Sequence, residues 1–389
     1  MKKRPSNTNP DTPKASTVRS GYGFTRRFPE SPHRDGLRPR ATDSGLSKRA
    51  FAAILICVCA VVFTAALTAC VVAMRISQLP DEEAVTAEPL KTTAVKAMRI
   101  SSASGFSSGA EAVNACLADG CSCVIIEIKS PDGKLAFTPS VEVPADAVEP
   151  LATDPAELTR AFRSAGIRVY AAISCFADDI YARNNIRLAG YTEAPDPDDP
   201  DRTVATLWYD QSQSPHAWLS PASDEVVYYL NELISDAAET DPDGIILENV
   251  TLPDDIPQNV IFSGEGAEDV NAYAPGFAGR IADEYMTPIG VCENGVRFCR
   301  YFADGELPPL FNTSADFFAA DLRSSHIPAE ARFHGLPYNT STGYPGFITA
   351  AAWAMRDSID KGLIFIYSDL CSEALLSSVN DITVTIAVG

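Results

Sequence analysis

Residues 124–129 read Val-Ile-Ile-Glu-Ile-Lys, and the way this run alternates decides the fold. Neighbours in an extended strand point to opposite faces, so Val124, Ile126 and Ile128 share one face while Ile125, Glu127 and Lys129 share the other. The wholly apolar face suits packing on helices. The second face then turns two charges toward a barrel interior, where each is costly unless it pairs with the other or with another polar group. Such a pair is either an internal ion pair without chemistry or part of a substrate pocket.

Similar runs recur on both sides of it. Val95–Ile100, Val124–Lys129, Ile167–Cys175, Gly244–Asn249, Phe317–Asp321, Ala331–Leu336, Leu363–Ser368 and Ile382–Val388 read as strands. Between them Ala110–Leu117, Pro155–Ala165, Asp224–Glu239, Ala267–Tyr285 and Pro345–Lys361 read as helices. Asp154-Pro155 supplies an N-cap with proline in the first turn, and Gly166 closes the same helix. Strands alternating with helices predict a parallel sheet, and this spacing favours an α/β fold of the (β/α)8 TIM-barrel type over residues 92–389. Gly190–Arg202 and Thr251–Gly266 are the expected long insertions after strands, at the end where barrels hold their sites.

That end collects carboxylates. Glu248 closes the apolar run Gly244–Leu247, Asp321 closes Phe317–Ala320, and Asp369 follows Leu363–Ser368. Asp132, in Ser130-Pro131-Asp132-Gly133, is ordinary turn chemistry as well as a candidate. Phe176, Trp208, Tyr209, Trp218 and Tyr344 fall in neighbouring loops, where aromatic faces suit sugar rings, although aromatics at such positions also serve as core.

The two ends of the chain differ sharply. Residues 1–50 carry a net charge of +8 within a total of −20, leaving −28 for the remainder. Between them Ala50–Met74 is a 25-residue run without a charge, long enough at about 1.5 Å per residue to cross a hydrocarbon core of about 30 Å. Lys48 and Arg49 at its start predict a single-pass type II orientation, with the N-terminus cytoplasmic and the barrel outside the cell membrane. Leu67-Thr68-Ala69-Cys70 resembles a bacterial lipobox, a reading that also puts the large domain outside. Residues 1–49, rich in Ser, Pro and Arg, are expected to be a disordered cytoplasmic tail, and residues 75–91 an acidic linker. A chain at −28 beyond residue 50 repels phosphate backbones, so nucleic acid is not an expected partner.

Seven cysteines follow the apolar run, an odd number with no zinc-like spacing; Cys292 and Cys299, flanking Asn294-Gly295 in a possible hairpin, form the one disulfide expected. No metal site or nucleotide cofactor is indicated by HExxH, P-loop or GxGxxG motifs. Gly105-Phe106-Ser107-Ser108-Gly109 fits the G-x-S-x-G elbow of an esterase, with His326 or His334 downstream in the required order.

CVIIEIKSPDGKLAF at 123–137, AGIRVYAAISCFADDIYARNN at 165–185, Trp208-Tyr209-Asp210, Trp218-Leu219-Ser220-Pro221 and DPDGIILENVTLP at 241–253 together resemble the "putative glycoside hydrolase domain" family of bacterial surface proteins. The resemblance covers about residues 92–370 and implies a barrel related in architecture to the alpha-amylase-like enzymes. Glu127 and Lys129 match its acidic-x-Lys, Phe176 and Asp178 its Phe-x-Asp, and Glu248 stands at its strand-end aspartate. It implies hydrolysis of an oligo- or polysaccharide by paired carboxyls. Glu248 is the first of the pair and Asp321, by analogy, the second, with Glu127 or Asp178 as alternatives. Lys129, Phe176, Asp178, Trp208, Asp210 and Trp218 are the implied substrate contacts. The chain departs from the family at Ala172, Ser220 and Thr251, which stand where the family often has Arg, Asp and Arg. Those departures favour the rival reading, a non-catalytic barrel that binds cell-wall glycan or a partner protein.

Overall fold

The computed structural model describes residues 94–389 except 197–198, 200, 213, 265–269, 328–331, 334–335, 338–342, 359–362, 380–383 and 389. The expected membrane-crossing run at 50–74, with the tail and linker around it, lies outside the described residues. No helix among the described residues is long and apolar enough to cross a membrane.

Eight parallel strands close on themselves: β1 (Val95–Ile100), β2 (Cys123–Lys129), β3 (Arg168–Ser174), β4 (Gly244–Glu248), β5 (Ile289–Asn294), β6 (Phe317–Asp321), β7 (Ile364–Ser368) and β8 (Val384–Val388). They lie side by side in chain order, and β1 completes the ring by pairing with β8 from Val95↔Thr385 to Met98↔Val388. Helices α1 (Gly109–Ala118), α2 (Pro155–Ser164), α3 (Asp179–Asn184), α4 (Asp224–Glu239), α5 (Val270–Glu284), α6 (Gly295–Ala303), α7 (Gly343–Ser358) and α8 (Glu373–Ser378) fall between the strands. The architecture is the (β/α)8 barrel expected.

Period-two alternation divides the apolar residues into two cores. Ile126, Ile128, Val169, Ala171, Ile245 and Leu247 pack outward with the helices, while Ala97, Cys123, Ile125, Tyr170, Ala172 and Ile246 fill the inside. The interior is crossed by an aromatic layer in which Tyr170 meets Phe365 at 4.6 Å and Phe317 at 5.5 Å between ring centroids, edge to face. Gly290 makes room for it, because a Cβ there would collide with the Phe317 ring.

Local signals account for the helix ends. Asp154 accepts hydrogen bonds from Ala156 N and Glu157 N at the start of α2, and proline occupies its first turn. The same helix closes with Gly166 at φ 74°, Gly166 N donating to Arg163 O and Ile167 N to Phe162 O. This is a Schellman closure, with Phe162 and Ile167 as its apolar pair.

Two expectations need correction. The described residues of Ala331–Leu336 do not join the barrel: Arg332–Phe333 pairs with Leu336–Pro337 as a short antiparallel piece in the β6–α7 connection. The missing strand is β5, at whose end Asn294-Gly295 suggests a hairpin turn. Asn294 instead leaves the strand and caps α6, its side chain accepting from Arg297 N at 2.9 Å. Consequently Cys292 belongs to the barrel interior and Cys299 to the outer core, and both are free thiols.

The insertion at 190–202 forms part of a ribbon, Tyr191–Pro195 paired antiparallel with Thr203–Leu207. A bridge from Tyr191 to Ile261 ties this ribbon to the segment after β4.

Candidate active site

The inward faces of β1, β2, β4, β6 and β7 each end in a polar side chain. Following Ala97, Ile125, Ile246, Ala319 and Phe365 by two positions come Arg99, Glu127, Glu248, Asp321 and Tyr367. All sit at the C-terminal ends of their strands, one layer above the apolar filling. Here the alternation argument placed Glu127 and Glu248 on the interior face, and both project there.

Arg99 is the hub. Its Nη1 donates to Glu248 Oε1 at 2.7 Å and its Nη2 to Glu248 Oε2 at 3.0 Å, a bidentate fork. Nη2 also reaches Glu127 Oε2 at 2.6 Å, and Nε reaches the same oxygen at 3.1 Å. Burial alone would raise the Glu248 carboxyl, but the charge and hydrogen bonds of Arg99 outweigh it and hold the group below its ordinary range. Arg99 itself is raised well above its usual value: burial opposes its charge, and Glu248 more than compensates. The guanidinium also lies 5.4 Å from the centre of the Tyr367 ring. Burial, then Glu248 beside it, push the Tyr367 phenol well above its usual value, so it keeps its proton.

A second clamp holds Asp321. Arg323 Nε donates to its Oδ1 at 2.8 Å and Nη2 to its Oδ2, while His326 Nδ1 stands 2.7 Å from Oδ2. Burial opposes ionisation, yet the hydrogen bonds from Arg323 and His326 prevail and Asp321 lies far below the usual carboxylate range. Both of its oxygens are occupied. Glu127 differs: all its described hydrogen bonds fall on Oε2, and at 18% its side chain is more open than Glu248 at 10% or Asp321 at 12%.

The other expected contacts lie elsewhere. A register shift after Glu127 breaks the alternation, so Lys129 pairs with Ile173 on the outward side instead of sharing Glu127's face. There Lys129 is fully buried, its Nζ 3.0 Å from Asp178 Oδ2 and donating to the Ser174 and Ala177 carbonyls. Asp178 caps α3 through Tyr181 N and accepts from the Tyr229 hydroxyl. Phe176 is buried against Phe277, ring centroids 5.1 Å apart. These three residues have no surface to offer a sugar, which corrects the expectation that they bind substrate. Trp208 is mostly buried against Phe262, and Trp218 Nε1 donates to Asp210 Oδ2, whose other oxygen holds Ser212 and the His216 backbone. Asp210 and Trp218 thus organise their own loop.

Sequence reasoning passed over Arg99, Arg323 and Tyr367. The signal for Arg99 was present: Ala97 and Arg99 alternate as Ile125 and Glu127 do. Ala172 opposes Glu127 on β3, at the position where the resemblance implies an arginine. In this chain a guanidinium reaches Glu127 from the opposite neighbour, β1.

Ser107 does not sit with a base: its hydroxyl donates to Glu111 Oε2 at 2.6 Å, at the start of α1, where Ser108 is the N-cap. Among the described residues no three His, Cys, Asp or Glu side chains gather as a metal ligand set would. A cleft of about 490 Å³ beside α3 and the ribbon is lined by Arg183, Arg187, Leu188, Ala205 and Glu225 and by none of the mouth residues.

An eight-stranded parallel barrel with charged side chains gathered at the C-terminal ends of its strands has the layout of a barrel enzyme. Residues 100–286 match the family described as "Putative glycosyl hydrolase domain". Among solved structures, the glycoside hydrolase domain of PgaB (BpsB) from Bordetella bronchiseptica is 13% identical over 76% of this chain and 93% of its own, with a TM-score of 0.48. The galactosidase domain of alpha-galactosidase-sucrose kinase, AgaSK, is 12% identical over 76% of this chain, TM-score 0.46, and this chain spans 37% of its length. A hypothetical protein from Ruminiclostridium thermocellum ATCC 27405 is 17% identical over 50% of this chain and 96% of its own, TM-score 0.37. No curated protein matches the chain in sequence.

Proposed function

We propose that the barrel is a glycoside hydrolase acting on an oligo- or polysaccharide outside the cell, tethered to the membrane by residues 50–74. The observation that carries this reading is the bridge from Arg99 to Glu127 and Glu248. One guanidinium nitrogen lies 2.6 Å from Glu127 Oε2 and 3.0 Å from Glu248 Oε2. Those two oxygens can be no farther apart than these distances laid end to end. That upper limit is compatible with the about 5–5.5 Å of retaining enzymes and falls short of the about 6.5–9.5 Å of inverting ones.

The roles follow from where a proton can sit. Glu248, with both oxygens accepting from Arg99, is ionised and serves as nucleophile on the anomeric carbon. Asp321, expected as the second carboxyl of the pair, has both oxygens engaged by Arg323 and His326, which argues against its serving as the acid. Glu127, whose described hydrogen bonds all fall on Oε2, has Oε1 placed to pass a proton to the leaving oxygen as the glycosidic C–O bond breaks. Water then attacks the glycosyl ester and returns a proton to Glu127, freeing Glu248.

The test is reducing-end release by the full chain from a panel that includes peptidoglycan and plant glucans, run beside Glu248→Gln. Release that disappears in the variant supports the hydrolase. Binding of a glycan without release, surviving Glu248→Gln, would replace it with the non-catalytic module, the reading favoured by the loss of polar groups at Ser220 and Thr251.

A further inference from the structure

Helix α1 ends as α2 does, but with sulfur in place of hydrocarbon. Gly120, at φ 71°, donates its N–H to Leu117 O, and Cys121 N donates to Cys116 O at 2.9 Å. In α2 the residues at these two closing positions are Phe162 and Ile167. A Schellman closure brings that pair of side chains into contact. In α1 the pair is Cys116 and Cys121, with the Cys116 thiol 3.6 Å from the Cys121 carbonyl oxygen. Both are free thiols in this structure, and both are buried. Residues 117–120 between them are all exposed, so the pair lies just beneath the surface at the N-terminal end of β2, the far end of the strand from Glu127.

We infer that Cys116 and Cys121 are a dithiol that closes to a disulfide across the C-terminus of α1, in place of the Cys292–Cys299 bridge that the sequence suggested. The two side chains are already neighbours in the closure, so no strand or helix has to move to bring them together. Chemical environment separates their roles. The neighbouring Cys121 thiol holds Cys116 below the ordinary thiol range, while the same contact, then burial, then Asp119 push Cys121 up. Cys121 Sγ also donates to Asp119 Oδ2 at 3.4 Å, and that carboxylate is paired with Lys96 at 2.6 Å. Cys116 is therefore the attacking sulfur.

The oxidant is a small-molecule disulfide. The Cys116 thiolate attacks one of its sulfurs, its S–S bond breaks, and the departing thiolate takes up a proton. Cys121 then loses its proton to solvent and attacks the Cys116 sulfur of the mixed disulfide, releasing the second thiol. The protein pair loses two electrons, and the reagent disulfide gains them as two thiols.

The experiment titrates the full chain with glutathione redox buffers, labels remaining thiols with a maleimide, and maps the peptides by mass spectrometry. The expected result is a peptide spanning residues 116–121 that is two hydrogens lighter, unlabelled under oxidising buffer and labelled at both positions after reduction. Cys121→Ser is expected to stop the sequence at a glutathione adduct on Cys116. Cys371→Ser, which removes the half-exposed thiol near Lys96 and Asp119, is expected to change nothing. Oxidation should raise the thermal midpoint by a few degrees. Labelling of both thiols at every buffer ratio, or a Cys116 or Cys121 bridge to Cys371, would overturn the inference.

Discussion

Arg99 on β1 and Glu248 on β4 form a two-pronged ion pair, 2.7 Å and 3.0 Å, across the interior of the barrel. Neither residue is near the other in sequence, and the pair exists because the ring closes. It fixes the carboxylate in orientation as well as in charge, since a planar fork leaves it one way to lie.

Removing the fork should expose both functions. Arg99→Ala leaves two carboxylates without their cation, and is expected to cost about 3–5 kcal/mol of stability, the range for breaking a buried pair. Arg99→Lys keeps the charge and loses the fork. In it Glu248 titrates higher, because burial is opposed less strongly, so the acid limb of the activity profile moves to higher pH. Chemical denaturation and a pH–rate profile check the two effects separately.

The proposed acid and nucleophile have different signatures. Glu248→Gln is expected to lower turnover by about 10³-fold on every substrate. Glu127→Gln should cost as much on natural glycans but little on aryl glycosides whose leaving group needs no proton. Equal losses on both substrates from Glu127→Gln, with the leaving-group difference appearing in Asp321→Asn, would reassign the acid to Asp321.

Lys129 and Asp178 should behave as structure. Lys129→Met strands a fully buried carboxylate and is expected to destabilise the barrel by about 3–5 kcal/mol. The double variant Lys129→Met with Asp178→Asn should recover part of that loss. At temperatures where each variant stays folded, KM should match the parent.

Glu293, almost wholly buried on β5, gives a pH-dependent stability. Burial lifts its carboxyl from 4.5 to about 7, only partly offset by Arg297 and the Asn294 N–H. The native state therefore keeps a proton that the unfolded chain has already lost between about pH 4.5 and 7, and stability falls as pH rises through that window. The loss is complete above it and is on the order of 3 kcal/mol. Urea unfolding at pH 5 and pH 8 should show this difference in the parent and a smaller one in Glu293→Gln, with the variant the more stable of the two at pH 8.

The legible part of the fold was whatever obeyed simple alternation. Glu127 and Glu248 could be turned inward from the sequence because their strands are regular up to those residues. Lys129 could not, since a register shift of one position reverses its face without changing any residue. β5 was hidden for a related reason. Gly290 weakens the strand signal and Asn294-Gly295 imitates a hairpin, whereas one glycine accommodates Phe317 and the asparagine begins a helix. Asp321 was expected at the mouth and is there, but its partners Arg323 and His326, which decide its ionisation, come from the loop after its strand.

The aromatic layer of Tyr170, Phe317 and Phe365 stoppers the barrel from below. The charges above it rest on a hydrocarbon floor that polarises far less than water, so their field lines leave by the wet side. The ring of charge therefore projects its field toward the C-terminal ends of the strands. On the proposed reading, a glycan would meet that field first from the C-terminal side of the barrel.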